Sequence, residues 1–215
     1  MSGARREILE RIRSALRDVP ADERPRDVVV ERSYLHTSDL PAKKLVALFA
    51  ERIAEYRVTV HRIAAAELAD TIRQRCRARA VARLVLPADL PDDWIPAGIE
   101  ALRDDGLTDG ELDSADGVLT GCAVAIAQTG TIVLDGGPGQ GRRALTLVPD
   151  YHLCVVRSDQ IVGLVPVALA RLEAGVRSEG RPVTFISGPS ATSDIELNRV
   201  EGVHGPRNLE VVIVR

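Results

Sequence analysis

A glycine-rich run ending in paired arginines carries the sharpest chemistry in the sequence: Asp-Gly-Gly-Pro-Gly-Gln-Gly-Arg-Arg at 135–143. Glycines at 136, 137, 139 and 141 allow the backbone to turn tightly or to approach a ligand closely. Backbone N–H groups beside guanidinium charge form a receptor for phosphate or carboxylate. Gly139, Gly141, Arg142 and Arg143 are therefore candidate ligand contacts. Neighbouring strand residues face opposite sides, so one arginine of the pair is expected in the site, not both. Thr129, Gly130 and Thr131 form a second turn just upstream and are candidates of the same kind.

Downstream, Ser187, Gly188, Ser190, Thr192 and Ser193 crowd a hydroxyl-rich loop that follows a strand. The loop is either a second wall of the anion pocket or a set of helix caps, since Ser, Thr and Asp favour N-caps for local reasons. Glu201 and His204 stand three apart between Gly202 and Gly205. They read as an acid–base or metal pair, or as a hydrogen-bonded structural histidine. Asp150 and His152 flank Tyr151 and either face one cavity or close a strand-end turn. The catalytic candidates are thus His204, Glu201 and Asp150, with His152 on the ligand side. No Walker A motif, dinucleotide fingerprint or nucleophile elbow is present.

The elements needed to position these groups alternate. Ile8, Leu9, Ile12 and Leu16 give an amphipathic helix over Ala4–Arg17, and the stretch Asp18–Ser33 reads as a linker. Residues 1–33 are expected to be a helical arm and 34–215 an α/β domain. Asp39 is placed to cap a helix from Pro41 whose stripe is Leu45, Phe49, Ile53 and Tyr56. Arg57–Ile63 reads as a strand, Ala65–Ala78 as a helix and Val81–Leu86 as a strand covered on both faces. A strand near Ile99–Leu102 and a short helix near Asp109–Ala115 follow. Short β-type runs are expected at Ala123–Ala127, Thr131–Leu134 and Ala144–Val148. Then come a strand Tyr151–Val156, a helix ending at Gly175, a strand Val183–Ile186, a short helix Asp194–Arg199 and a last strand Leu209–Val214. This order implies parallel pairing with right-handed crossovers.

Composition narrows the function classes. Net charge is −3 and aromatics are 3%, with no basic stripe, which argues against nucleic acid. Lysine occurs only at Lys43 and Lys44. No apolar run spans a bilayer and no secretory signal is visible, so a cytoplasmic location is expected. Cys76, Cys122 and Cys154 are widely spaced and match no cluster motif. They read as buried apolar residues, and any redox centre is expected on another chain.

Four motifs resemble the lactate-utilization (LUD) domain family, in its small single-domain form. They are Thr-Gly-Cys-Ala-Val-Ala-Ile-Ala-Gln-Thr-Gly-Thr-Ile-Val-Leu at 120–134, Arg-Arg-Ala-Leu-Thr-Leu-Val-Pro-Asp-Tyr-His at 142–152, Thr-Phe-Ile-Ser-Gly-Pro-Ser-Ala-Thr-Ser-Asp-Ile-Glu at 184–196 and Val-Glu-Gly-Val-His-Gly-Pro at 200–206. The resemblance covers the chain from Leu40 onward. It implies a three-layer α/β/α fold with a mostly parallel sheet, similar to the NagB/RpiA/CoA-transferase group, plus the N-terminal helical arm. It further implies an accessory role beside two iron–sulfur proteins in oxidising L-lactate to pyruvate. The chain itself would hold no cofactor and would bind a small carboxylate or phosphate. The family usually has Glu where this chain has Gln128; an amide cannot form the acyl anhydride of a CoA transferase, which disfavours covalent transfer there. The alternatives are a stand-alone enzyme of the same fold acting on a phosphorylated or acyl-CoA type substrate, and a metabolite sensor.

Overall fold

The computed structural model of the chain describes residues 3–20, 23–24, 29–189 and 205–215. It divides into two compact units, Met1–Tyr34 and Leu35–Arg215. In the first unit α1 (Gly3–Ala15) buries none of its residues. No described helix is long and apolar enough to cross a membrane.

The second unit runs α2 (Ala42–Ala54), β1 (Thr59–Ile63), α3 (Leu68–Ala78), β2 (Arg83–Leu86), β3 (Glu100–Arg103), α4 (Asp109–Asp113), β4 (Gly117–Thr120), β5 (Val124–Ile126), β6 (Thr131–Leu134), β7 (Tyr151–Arg157), β8 (Ile161–Val162), α5 (Val165–Glu179), β9 (Thr184–Ile186) and β10 (Asn208–Val214). Six strands form a parallel sheet in the order β1-β10-β7-β4-β2-β3. The expected parallel α/β architecture is present. A second sheet, β8-β5-β6-β9, has its β5–β6 and β6–β9 pairs antiparallel, which the sequence reading had not separated from the first.

Strand periodicity explains the layers. Along β7, Tyr151, Leu153 and Val155 point to one face while His152, Cys154 and Val156 point to the other. The first set meets α3 through Leu68, Ile72 and Cys76. Cys154 and Val156, with Leu209, Val211 and Ile213 of β10, meet α2 and the small sheet through Val46, Phe49, Ile53, Ala125 and Ile132. α5 covers the far side of the small sheet with Ala168 and Leu172. Contact between α2 and the turn before β6 requires glycine: a Cβ at Gly130 (φ 61°) would lie 2.5 Å from Ile53 N.

Three sequence expectations fail for identifiable reasons. The run 144–148 is no strand, because Arg143–Thr146 form a 3₁₀ turn. Leu145 and Val148 lie three apart and pack together on Val85, Leu112 and Val118, a helical spacing mistaken for alternation. α5 passes through Gly175 and stops at Gly180, whose φ of 64° takes the left-handed cap position. Asp39 does not cap α2, which starts after Pro41 without a side-chain cap. The strand β4 was not expected, and the predicted helix Asp194–Arg199 lies outside the described residues.

One buried charge fastens the parallel sheet to α3. Glu210 of β10 is fully buried and accepts Arg75 Nε at 2.8 Å and Arg79 Nε at 2.5 Å, with His61 Nε2 of β1 at 3.1 Å. Arg79 also stacks on Tyr151 of β7, 4.8 Å from the ring centroid. Burial alone would raise the Glu210 carboxyl, but hydrogen bonds from His61, Arg75 and Arg79 outweigh it and hold it at about 2, below its ordinary 4.5. A depressed folded value stabilises above pH 4.5 and loses that contribution as pH falls toward 2. Urea midpoints should therefore drop across this window by the equivalent of about 3 kcal/mol, and Glu210→Gln should lose this acid-dependent part. Parallel pH profiles for the two proteins would refute the clamp.

Candidate functional site

The loop between β6 and the Arg143 turn is tied into a knot by its own polar residues. Gln140 Oε1 accepts Asp135 N–H at 2.8 Å, and Gln140 Nε2 returns a bond to Asp135 Oδ1 at 2.9 Å. The same oxygen accepts Gly137 N–H at 3.0 Å. Positive φ values at Gly136 and Gly139 let the four residues between Asp135 and Gln140 turn tightly, and Gly141, also near 70°, turns the chain out of the ring. Asp135 and Gln140 are buried, so each unmade bond would leave a desolvated polar atom. Arg181 reaches Asp135 from the end of α5, at 3.4 Å. Gly137 allows that approach, since a Cβ there would lie 2.7 Å from Arg181 Nη1 and 2.8 Å from Asp135 Oδ1.

Above the knot lies a cavity of about 370 Å³, lined by Asp135, Gly141, Arg142, Arg143, Arg181 and Thr184 among others. The two adjacent arginines behave differently. Arg142 is committed: Nε and Nη2 grip Asp104 at 2.9 and 3.2 Å, and Nη2 also donates to the Leu107 carbonyl. The Asp104 hydrogen bond raises its pKa. Among the described residues Arg143 makes neutral contacts only, donating to Thr146 O at 3.1 Å and Thr146 Oγ1 at 2.7 Å. Burial lowers its pKa and no carboxylate offsets that loss of solvation. A half-buried guanidinium at a cavity wall, with no carboxylate partner of its own among the described residues, is set to take an anion.

The other sequence candidates do not join this cavity. Thr129, Thr131 and Ser187 form a hydroxyl chain, with 2.7 Å from Thr131 Oγ1 to each neighbour. Register pairs Leu134 with Thr184 at the cavity and Ile132 with Ile186 away from it. The hydroxyl chain thus sits at the far end of the β6–β9 ribbon, about 10 Å from the cavity at the usual strand rise. Ser187 and Gly188 are therefore no second wall of the cavity; that wall is Arg181, Pro182 and Thr184. Gly130 and Gly188 are explained by close packing on α2 and on Tyr56, whose Cβ would lie 2.7 Å from a Cβ at 188. Gly139 spends its N–H on Asp89 and its carbonyl on Gly121 N–H.

Asp150 and His152 do not share a cavity. Asp150 is exposed and paired with Arg207 at 2.6 Å, while His152 is fully buried. His152 Nε2 meets Thr120 Oγ1 at 2.7 Å, and its Nδ1 has no partner among the described residues. Cys122 and Cys154 lie in the same core, where Cys154 Sγ donates to Gly121 O at 3.6 Å. The hydrogen bond to Cys154 and then burial push the Cys122 thiol up, so it stays protonated. All three cysteines are free and buried, and among the described residues no group of three His, Cys, Asp or Glu is arranged to hold a metal. Ser190, Thr192, Ser193, Glu201 and His204 lie outside the described residues.

Sequence reasoning passed over Asp135, Gln140, Thr146 and Arg181. An acid and an amide bracketing Gly-Gly-Pro-Gly were a readable signal for a self-bonded turn; Arg181, just past Gly180, had none.

Comparison with known proteins places these features in a family. The model of the LUD domain matches residues 46–214. A protein named lactate utilization protein C from Deinococcus radiodurans is 51% identical over 177 residues, covering 81% of this chain and 82% of that one. A protein of the same name from Geobacillus kaustophilus is 29% identical over 168 residues, or 69% of each chain. The crystal structure of a DUF162 family protein from Deinococcus radiodurans superposes with a TM-score of 0.72 at 43% identity, covering 82% of this chain and 99% of that one.

The knot makes its own test. Gln140→Ala should cost about 1–3 kcal/mol, because Asp135 N–H and Oδ1 each lose a buried partner. Amide exchange should quicken selectively at Gly136 to Gly141. Unchanged exchange there would show that the glycine loop is held by something else.

Proposed function

This chain belongs to the LUD domain family, and on that premise we propose that it serves lactate utilization by binding a small carboxylate against Arg143. Iron–sulfur partner proteins, rather than this chain, carry the electrons. The observation behind the binding site is Arg143 itself, desolvated at a cavity wall with hydroxyl and carbonyl partners but no carboxylate partner among the described residues. At about 370 Å³ the cavity suits a three-carbon hydroxy acid or keto acid with water around it. The names of the relatives supply the metabolite class. The widely spaced cysteines, none in a cluster motif, support placing the redox centre on partners.

A stand-alone enzyme would need a proton-transfer group at the cavity. Asp150 is engaged by Arg207, His152 is sealed in the core, and Glu201 and His204 lie outside the described residues. Binding is the reading that the described residues support.

Calorimetry with L-lactate, pyruvate and phosphate tests it directly. Arg143→Ala should weaken the carboxylate by about 1.5–3 kcal/mol, the worth of a charge-assisted hydrogen bond, while Arg142→Ala should change it by less than about 1 kcal/mol. Affinity indifferent to Arg143 removes the cavity from the function. For the partner claim, the chain should co-elute from lactate-grown cells with proteins showing iron–sulfur absorbance; recovery as a free protein alone contradicts it.

A further inference from the structure

Both lysines of the sequence fall in the first turn of α2, at 43 and 44, and that turn contains no acidic residue. This is the wrong sign for the location. The N-terminal end of a helix carries partial positive charge, and cations there are disfavoured unless an anion answers them. No side chain caps the helix, whose first hydrogen-bonded N–H in this turn is that of Lys44. The N–H groups of Ala42 and Lys43 precede it.

The helix start opens onto a cavity of about 240 Å³, lined by Ala42, Lys43, Val46, Arg62, Ser158 and Arg215. Strands β1, β10 and β7 run parallel, with Arg62 level with Ile213 and Val214 level with Arg157. The cavity therefore lies at their shared carboxyl edge, where open parallel sheets bind ligands. Several surface arginines are matched to carboxylates, as Arg73 is to Asp70, Arg103 to Asp92 and Arg207 to Asp150. Lys43, Arg62 and Arg215 show no such partner among the described residues, and no acidic side chain lines the cavity. Ser158 adds a hydroxyl donor.

We propose that this recess is a second anion site, separate from the Arg143 cavity, which takes a phosphate or diphosphate group. Lys43 and Arg62 hold the oxygens from two sides, the free amides of α2 and Ser158 complete the donor set, and Arg215 adds a third positive charge. Donors surrounding one small volume suit the tetrahedral oxygens of a phosphate better than a flat carboxylate. The neighbouring cavity on the opposite face of the same strand ends, lined by Trp94, Val155 and Val214, adjoins it through the consecutive pairs Arg157–Ser158 and Val214–Arg215.

Inorganic pyrophosphate is the first probe, added to the full chain at moderate salt with heat of binding and melting temperature recorded. Saturable binding is expected, weakened at least about tenfold in Lys43→Ala and in Arg62→Ala and unchanged in Arg143→Ala. Lys43→Ala should also melt no lower than the parent without ligand, because removing a cation from the helix start relieves repulsion. A nucleoside diphosphate distinguishes the source of the phosphate. Equal affinity means that the diphosphate alone is read; tighter binding with quenching of Trp94, the single tryptophan, places a ring in the adjoining cavity. Absence of saturable pyrophosphate binding overturns the proposal, as does binding that survives both substitutions or disappears in Arg143→Ala.

Discussion

A single buried carboxylate sets the terms for the main sheet. Glu210 lies on the interior strand β10, and its ionised state is tolerable only because Arg75 and Arg79 of α3 and His61 of β1 converge on it. An unpaired charge at that depth would cost several kcal/mol, so the pairing excludes arrangements in which α3 packs in another register. Arg79 extends the same constraint to β7 through the Tyr151 ring. Three neighbouring strands and one helix are thereby fixed together by polar geometry, while the surrounding apolar contacts would accept several offsets.

The candidate site uses the opposite strategy, leaving one charge unanswered. Asp104 neutralises Arg142 and Asp135 engages Arg181, but among the described residues Arg143 meets only the hydroxyl and carbonyl of Thr146. Solvation lost by a guanidinium is recovered when an anion arrives, and the knotted glycine loop keeps the cavity wall in place beforehand. Rigidity of the wall and incompleteness of its charge are two halves of one binding device.

Elements with strong periodicity were legible from the sequence: α2, α3, β1, β2, β7 and β10 fall where apolar spacing put them. Errors arose where one pattern admits two geometries. The spacing of Leu145 and Val148 reads as an interrupted strand or as a tight turn, and only the cavity-side packing decides. Gly175 reads as a stop because glycine weakens helices, yet α5 runs through it to the left-handed Gly180. Within the site, the residue types were readable but their assembly was not. Arg142 and Arg143 are equivalent in sequence, and the distinction lies in Asp104, a residue 38 positions away from Arg142. The split between the hydroxyl chain and the glycine loop depends on β6–β9 register, which no local pattern encodes.

The position of β10 has a consequence for how the molecule is made. It is synthesised after every other described strand, yet it is inserted between β1 and β7 rather than added at a margin. While it is missing, β1 has no neighbour in the sheet, α3 carries two arginines without their counter-ion, and one edge of β7 stays unpaired. Completion of this sheet is thus postponed until β10 has been translated, which gives a chaperone shielding exposed strand margins a defined task up to that point.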